Sequence, residues 1–170
     1  MLVQQEEDLL GKIAKELKSI PTTVLEKLQA FMDGHKTLLQ ELKMLRKEKV
    51  RLLITECIKK KEEVASISLI TAIVDVDPKE FNEFANNLIQ KLGSGVVALG
   101  LDSGEKCQLL VAVSSDLKDL HAGKIIKEIA PLIQGGGGGK PNMAQAGGKD
   151  PSGLPKALEK VRELIGAYAT

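Results

Sequence analysis

Ser66–Val113 reads SISLITAIVDVDPKEFNEFANNLIQKLGSGVVALGLDSGEKCQLLVAV, and the changes of period within it decide the fold. Ser66–Val74 is β-branched and apolar, the composition of a buried strand. Asp77-Pro78-Lys79-Glu80 then reads as a helix start, with Asp77 as N-cap and Pro78 in the first turn. Phe81, Phe84, Ala85, Leu88, Ile89 and Leu92 fall on one helical face, and Gly93-Ser94-Gly95 ends it. Val96–Leu101 and Lys106–Val113 read as strands joined by a turn at Asp102–Glu105. Asp116 is placed to cap a further helix running to Ile133. The order β-α-β-β-α, with amphipathic helices to cover a small mixed sheet, gives an α+β globule over residues 64–170.

N-terminal to this stretch the period is that of a helix. Leu9, Leu10, Ile13, Ala14 and Leu17 form one apolar face, and Ser19-Ile20-Pro21 stops it. Thr22 or Thr23 caps a second helix. Asp33-Gly34 is either a joint or a weak point tolerated inside a longer helix. From Lys36 to Glu63 the chain is rich in Leu, Lys and Glu. Leu38, Leu42, Leu45 and Leu52 follow steps of four and three, with Lys49 filling the missing place in the seam. Residues 1–63 therefore read as a helical arm with a long helix, suited to pairing with a second copy of the chain. Packing against the chain's own first helices is the competing reading. Lys43, Arg46, Lys47, Lys49 and Arg51 make the arm locally basic, which suits either a solvated face or RNA phosphates.

C-terminal to the globule's core lies Gln134–Pro155, QGGGGGKPNMAQAGGKDPSGLP. On composition it is a flexible linker. Its position argues otherwise, because an apolar helix precedes it and one amphipathic helix, about 155–168, follows it. Glycine also has a positive use. Without a Cβ, the main chain of Gly135, Gly136, Gly137, Gly138 and Gly139, and of Gly147 and Gly148, lies open to close approach. Lys140 and Lys149 would add a charge at each end, and Asn142 and Gln145 polar contacts. A Walker loop fails here, since Gln134 stands where its first Gly belongs and Pro141 follows Lys140. The dinucleotide fingerprint fails as well: Lys140, Pro141 or Asn142 occupies its last glycine place in every frame from Gly135 to Gly137.

Composition excludes other classes. Of 170 residues 43% are hydrophobic and 28% charged, with a net charge of +1, so neither a disordered tail nor a bulk-charge nucleic-acid binder fits. The aromatics are Phe31, Phe81, Phe84 and Tyr168, too few for a base-stacking surface. No run of about 20 apolar residues is present, and the first residues lack a secretory signal, which places the chain in the cytoplasm with no membrane partner. Cys57, Cys107, His35 and His121 have no metal-ligand or nucleophile spacing, and Asp75 and Asp77 read as strand end and cap rather than as a carboxylate pair. No catalytic residue and no metal or cofactor site is expected in the chain itself.

Gly135–Pro141 followed by Ala144-Gln145-Ala146-Gly147-Gly148-Lys149-Asp150, and then Leu154–Val161, resembles the signature that closes the C-terminal domain of alanyl-tRNA synthetases. The resemblance is strongest over 64–170 and looser over the arm. It implies a fragment, with aminoacylation and editing modules upstream and absent here. It implies that ATP, magnesium and zinc belong to those modules. It also implies an alanine-specific tRNA as partner, held at its elbow, and a homodimer formed through the arm. The substrate-binding domain of DHH-type phosphoesterases is similar too. That motif carries His where Lys140 stands, which favours the synthetase reading.

Overall fold

The computed structural model describes residues 2–168. Packing divides it into two compact units, Met1–Glu48 and Lys49–Thr170. The change of period in the sequence places this division at 63/64. Burial of Ile54 and Cys57 among Ile70, Val76 and Phe84 carries the last turns of the long helix into the second unit.

In the first unit, helix α1 (Leu2–Glu16) ends where Lys18 takes a left-handed conformation and the Ser19 N–H reaches back to the Ala14 carbonyl at 2.8 Å. A 3₁₀ turn at Pro21–Thr23 starts helix α2 (Val24–Lys59, 36 residues). Asp33-Gly34 does not interrupt it. A Cβ at Gly34 would meet nothing within 4 Å, so the glycine costs only propensity.

The second unit is built on a six-stranded mixed sheet ordered β1-β2-β3-β4-β6-β5. Strands β2 (Ile67–Val74) and β3 (Val96–Asp102) are parallel, with helix α3 (Phe81–Leu92) crossing between them. β4 (Cys107–Val113) returns antiparallel to β3. Helix α4 (Ala122–Ile129) runs into a 3₁₀ turn at Ala130–Ile133, because Pro131 lacks the N–H needed to continue it. β5 (Gly136–Gly139) and β6 (Met143–Gly148) form an edge hairpin with β6 against β4, and helix α5 (Leu154–Tyr168) closes the chain. Alternate strand residues feed two cores. Leu109, Val111, Ala144 and Ala146 pack with Ile126 and Ile129 of α4 and Val161 of α5. Ile70, Leu99 and Leu110 pack on the other side with Phe81, Phe84 and Leu88 of α3.

The glycine run forms a strand, in line with its position between two helices rather than with its composition. Three local expectations are corrected. Asp77 makes a turn three residues early: its carboxylate accepts from the Lys79 N–H and its carbonyl from the Glu80 N–H, and the helix starts at Phe81. Asp116 caps no helix. It accepts from the Ser94 hydroxyl, residues 114–120 form turns, and α4 begins only after His121. Hydrogen bonds from Ser114 and then Ser94 hold the Asp116 carboxyl below its usual range. Its contribution to stability is therefore full above the ordinary carboxylate pKa and lost as pH falls through the depressed folded value. Finally, β1 (Glu62–Val64) is a strand where the sequence reading has the end of the arm. It pairs with β2 across Ala65 and Ser66, both at positive φ, and the Glu62 carboxylate pairs with Arg162 of α5.

Cys57 and Cys107 are free and buried, and burial pushes both thiols up. Less thiolate at neutral pH and no access predict negligible alkylation by iodoacetamide in the native protein. Both sites should label fully in denaturant, as read by intact mass.

Candidate nucleic-acid interface

The hairpin of β5 and β6 resolves the glycine run into two classes by the period-2 geometry of a strand. Register pairs Gly137 with Ala146 and Gly139 with Ala144, which places these residues on the face under α4 and α5. A Cβ at Gly137 would stand 2.2 Å from the Gln145 carbonyl oxygen, and one at Gly139 2.6 Å from the Ala144 Cα. Gly135 and Gly148 are equally closed, by the carbonyls of Gly147 and Ile133 at 2.0 and 2.3 Å. These four glycines exist so that backbone can lie on backbone.

The alternate residues face the other way. Gly136 pairs with Gly147, and Gly138 with Gln145. A Cβ at Gly136, Gly138 or Gly147 would meet nothing within 4 Å. Gln145 shares this face, where its Nε2 donates to Gln108 Oε1 at 2.7 Å. Half-buried Met143 packs at the margin of the α3-side core. The result is a shelf of bare main chain, polar only at one glutamine pair. Gln108 was missed by the sequence reading. Its one signal is a lone polar residue inside the apolar strand Cys107–Val113.

Lys140 and Lys149 sit at opposite ends of the hairpin. Lys140 lies in the turn, its N–H on the Met143 carbonyl at 2.9 Å, and Lys149 follows β6, its N–H on the Ile133 carbonyl at 3.0 Å. Both are exposed. The intervening length of β6 separates them by roughly 20 Å at a strand's rise per residue. Asn142 is exposed in the same turn, and its carbonyl accepts from the Val113 N–H at 2.9 Å. The structure thus gathers Lys140, Asn142, Gln145, Gly147 and Lys149 on one hairpin, and assigns Gly148 to packing instead. The leucines of the arm form a separate feature: Leu38, Leu42, Leu45 and Leu52 are 46–65% exposed along α2.

Comparison with known proteins gives the context of this shelf. Residues 66–167 match the model of the DHHA1 domain. An alanine–tRNA ligase of Desulforamulus reducens is 36% identical over 168 residues, 96% of this chain and 19% of that protein. One of Anaeromyxobacter dehalogenans is 53% identical over 104 residues, 61% of this chain and 12% of that protein. The chain thus spans about a fifth or less of the ligases it matches. Among solved structures, the C-Ala domain of Aquifex aeolicus alanyl-tRNA synthetase superposes with a TM-score of 0.59 at 31% identity, over 63% of this chain and 98% of that one. RecJ of Thermus thermophilus, at 17% identity and a TM-score of 0.53 over 92% of this chain and 24% of its own, shares the fold alone. A shelf of glycine backbone, a match across both sheet cores and near-complete coverage of a solved relative agree, and the chain belongs to the DHHA1 family, on the side of the alanyl-tRNA synthetase C-terminal domains.

Proposed function

We propose that this chain is a tRNA-binding and dimerising module of an alanine–tRNA ligase. The β5–β6 shelf meets the elbow of an alanine-specific tRNA, so that aminoacylation and editing modules elsewhere in such a ligase act on one tRNA molecule. The chemistry of attaching alanine, with its ATP, magnesium and zinc, is assigned to those modules and to no residue of this chain. The observation that carries the reading is the shelf itself. Folded RNA is met through shape, 2′-hydroxyls and phosphates. A surface without side-chain bulk, carrying a glutamine pair and a lysine at each end, offers close backbone approach and two phosphate contacts. The resemblance to the substrate-binding domain of DHH-type phosphoesterases supplies the alternative. Lys140, where that motif has His, weighs against it.

Lys140→Ala with Lys149→Ala is expected to weaken tRNA binding about tenfold at low salt and to reduce the salt slope by roughly 2, one unit per lost phosphate contact. Melting should be unchanged, since both side chains are exposed. Filter binding across a salt series measures it, and an unchanged slope removes the shelf as the RNA site.

Dimerisation rests on the exposed seam of α2. Such a row of leucines on a helix is stable when a second helix covers it. Wild type should scatter light as a dimer at micromolar concentration, and Leu42→Glu with Leu45→Glu as a monomer. A monomeric wild type removes this part of the proposal.

A further inference from the structure

Beside the hairpin turn, on the α4 side and away from the shelf, lies an open cleft of about 310 Å³ lined by His121, Gly123, Lys124, Lys127, Gly139 and Pro141. Three features give it chemistry. Lys124 and Lys127 stand one helical turn apart on α4, both exposed, so two ammonium groups reach the same mouth. Its floor is main chain: a Cβ at Gly123 would stand 2.9 Å from the Gly139 carbonyl oxygen, so the absent side chain lets α4 seat on β5 without filling the cleft. The Gly123 N–H, in the first turn of α4, has no acceptor within its own helix. The wall holds His121, whose Nδ1 is the one buried side-chain nitrogen or oxygen without a partner among the described residues. An orphan of that kind costs stability, and here it borders a space with two cations and no acid in its lining.

We propose that this cleft binds a phosphodiester of the RNA backbone, clamped by Lys124 and Lys127, as a second contact separate from the glycine shelf. The proposal rests on the tRNA reading above and extends it around the hairpin turn, where Lys140 would stand between the two surfaces. Lysine suits the task as a mobile point charge, and bare backbone lets the phosphate approach closely.

Two measurements on the whole chain test it. In the first, Lys124→Ala with Lys127→Ala is compared with Lys91→Ala with Lys156→Ala, exposed lysines elsewhere, in tRNA binding over a salt series. The cleft pair is expected to lose at least fivefold in affinity and one to two units of salt slope, while the remote pair loses neither. Equal behaviour of the two pairs overturns the cleft. In the second, the amide resonances of Gly123, Lys124 and Gly139 are followed by NMR during titration with a ribodinucleotide and, separately, with inorganic phosphate. Shifts that saturate with the dinucleotide in wild type and vanish in the cleft variant support the proposal. Shifts with inorganic phosphate alone overturn it. Failure of the two readings is distinguishable. Loss of tRNA binding in Lys140→Ala/Lys149→Ala but not in the cleft variant, with no dinucleotide shifts, leaves the shelf and removes the cleft. Dinucleotide shifts in a protein that fails to bind tRNA support the cleft as a phosphodiester site and remove the tRNA assignment.

Discussion

Gly137→Ala is expected to destabilise the second unit by about 2–3 kcal/mol, while Gly138→Ala, one residue on, changes stability by about 0.5 kcal/mol or less. The two substitutions are chemically identical and differ only in the face of β5 they address. A methyl at Gly137 would stand 2.2 Å from the Gln145 carbonyl oxygen and 2.4 Å from the Ala146 Cα, both main-chain atoms that no rotamer change can move. Relief requires β5 to lift from β6, which breaks the edge pairing and unseats Gly139 from Gly123 of α4. At Gly138 the methyl enters open space, and the alanine restricts the unfolded chain, which offsets part of any loss. Calorimetric melting should therefore show a drop of about 5–10 °C for the first variant and almost none for the second. Equal melting points would mean that β5 does not lie on β6 in this register. The pair also separates fold from function. Gly138→Ala leaves the fold but puts a methyl on the shelf, so it should weaken tRNA binding without a change in salt slope, unlike loss of the lysines.

That contrast shows why the glycine run could be read only in part. A strand announces itself through alternation of side chains, and Gly135–Gly139 has none to alternate. Composition alone could not tell a linker from a strand, nor say which glycines are packed and which are open. The answer lies in the partner strand, where Ala144 and Ala146 are buried and Gln145 and Gly147 are not. The helix α3 and the strands around it were legible because Phe81, Phe84 and Leu88 repeat at helical spacing, and β2, β3 and β4 are apolar runs between turn residues. β1 was not, because its turn uses Ala65 and Ser66 at positive φ, where glycine or asparagine would have signalled it. The start of α4 was hidden for a related reason. Asp116 has the chemistry of a cap, but it is taken up by the Ser94 hydroxyl, and the Ala122 N–H goes to the Pro141 carbonyl across the fold. Of the candidate site, Lys140, Asn142, Gln145 and Lys149 are proposed on their chemistry alone. Gln108 and the cleft lysines needed the sheet order, which brings β4 beside β6 and α4 beside β5.

Phe84→Ala and Ile126→Ala are expected to be similarly costly and to differ in what they do to the hairpin. Phe84 is 1% exposed in the core that α3 and the end of α2 make with the sheet, and its truncation leaves a cavity worth about 3–5 kcal/mol. Ile126 is fully buried on the opposite face, among Ala144, Ala146 and Ile133, and its truncation costs about 2–5 kcal/mol. The first cavity lies beneath β2, β3 and α3. There the hairpin is still held by α4, by the Gly135 N–H on the Ala130 carbonyl and by the Lys149 N–H on Ile133. The second lies directly under β6 and loosens the helix that β5 rests on. Hydrogen exchange of amides 136–148, measured in conditions where each variant stays folded, should thus remain near wild type in Phe84→Ala and accelerate at least tenfold in Ile126→Ala. tRNA affinity should follow the exchange rates rather than the melting points, because an ordered shelf spares the entropy of fixing glycine on binding. If both variants lose affinity in proportion to their lost stability, the bare strand is not held in place by α4, and preorganisation is not what the glycines contribute.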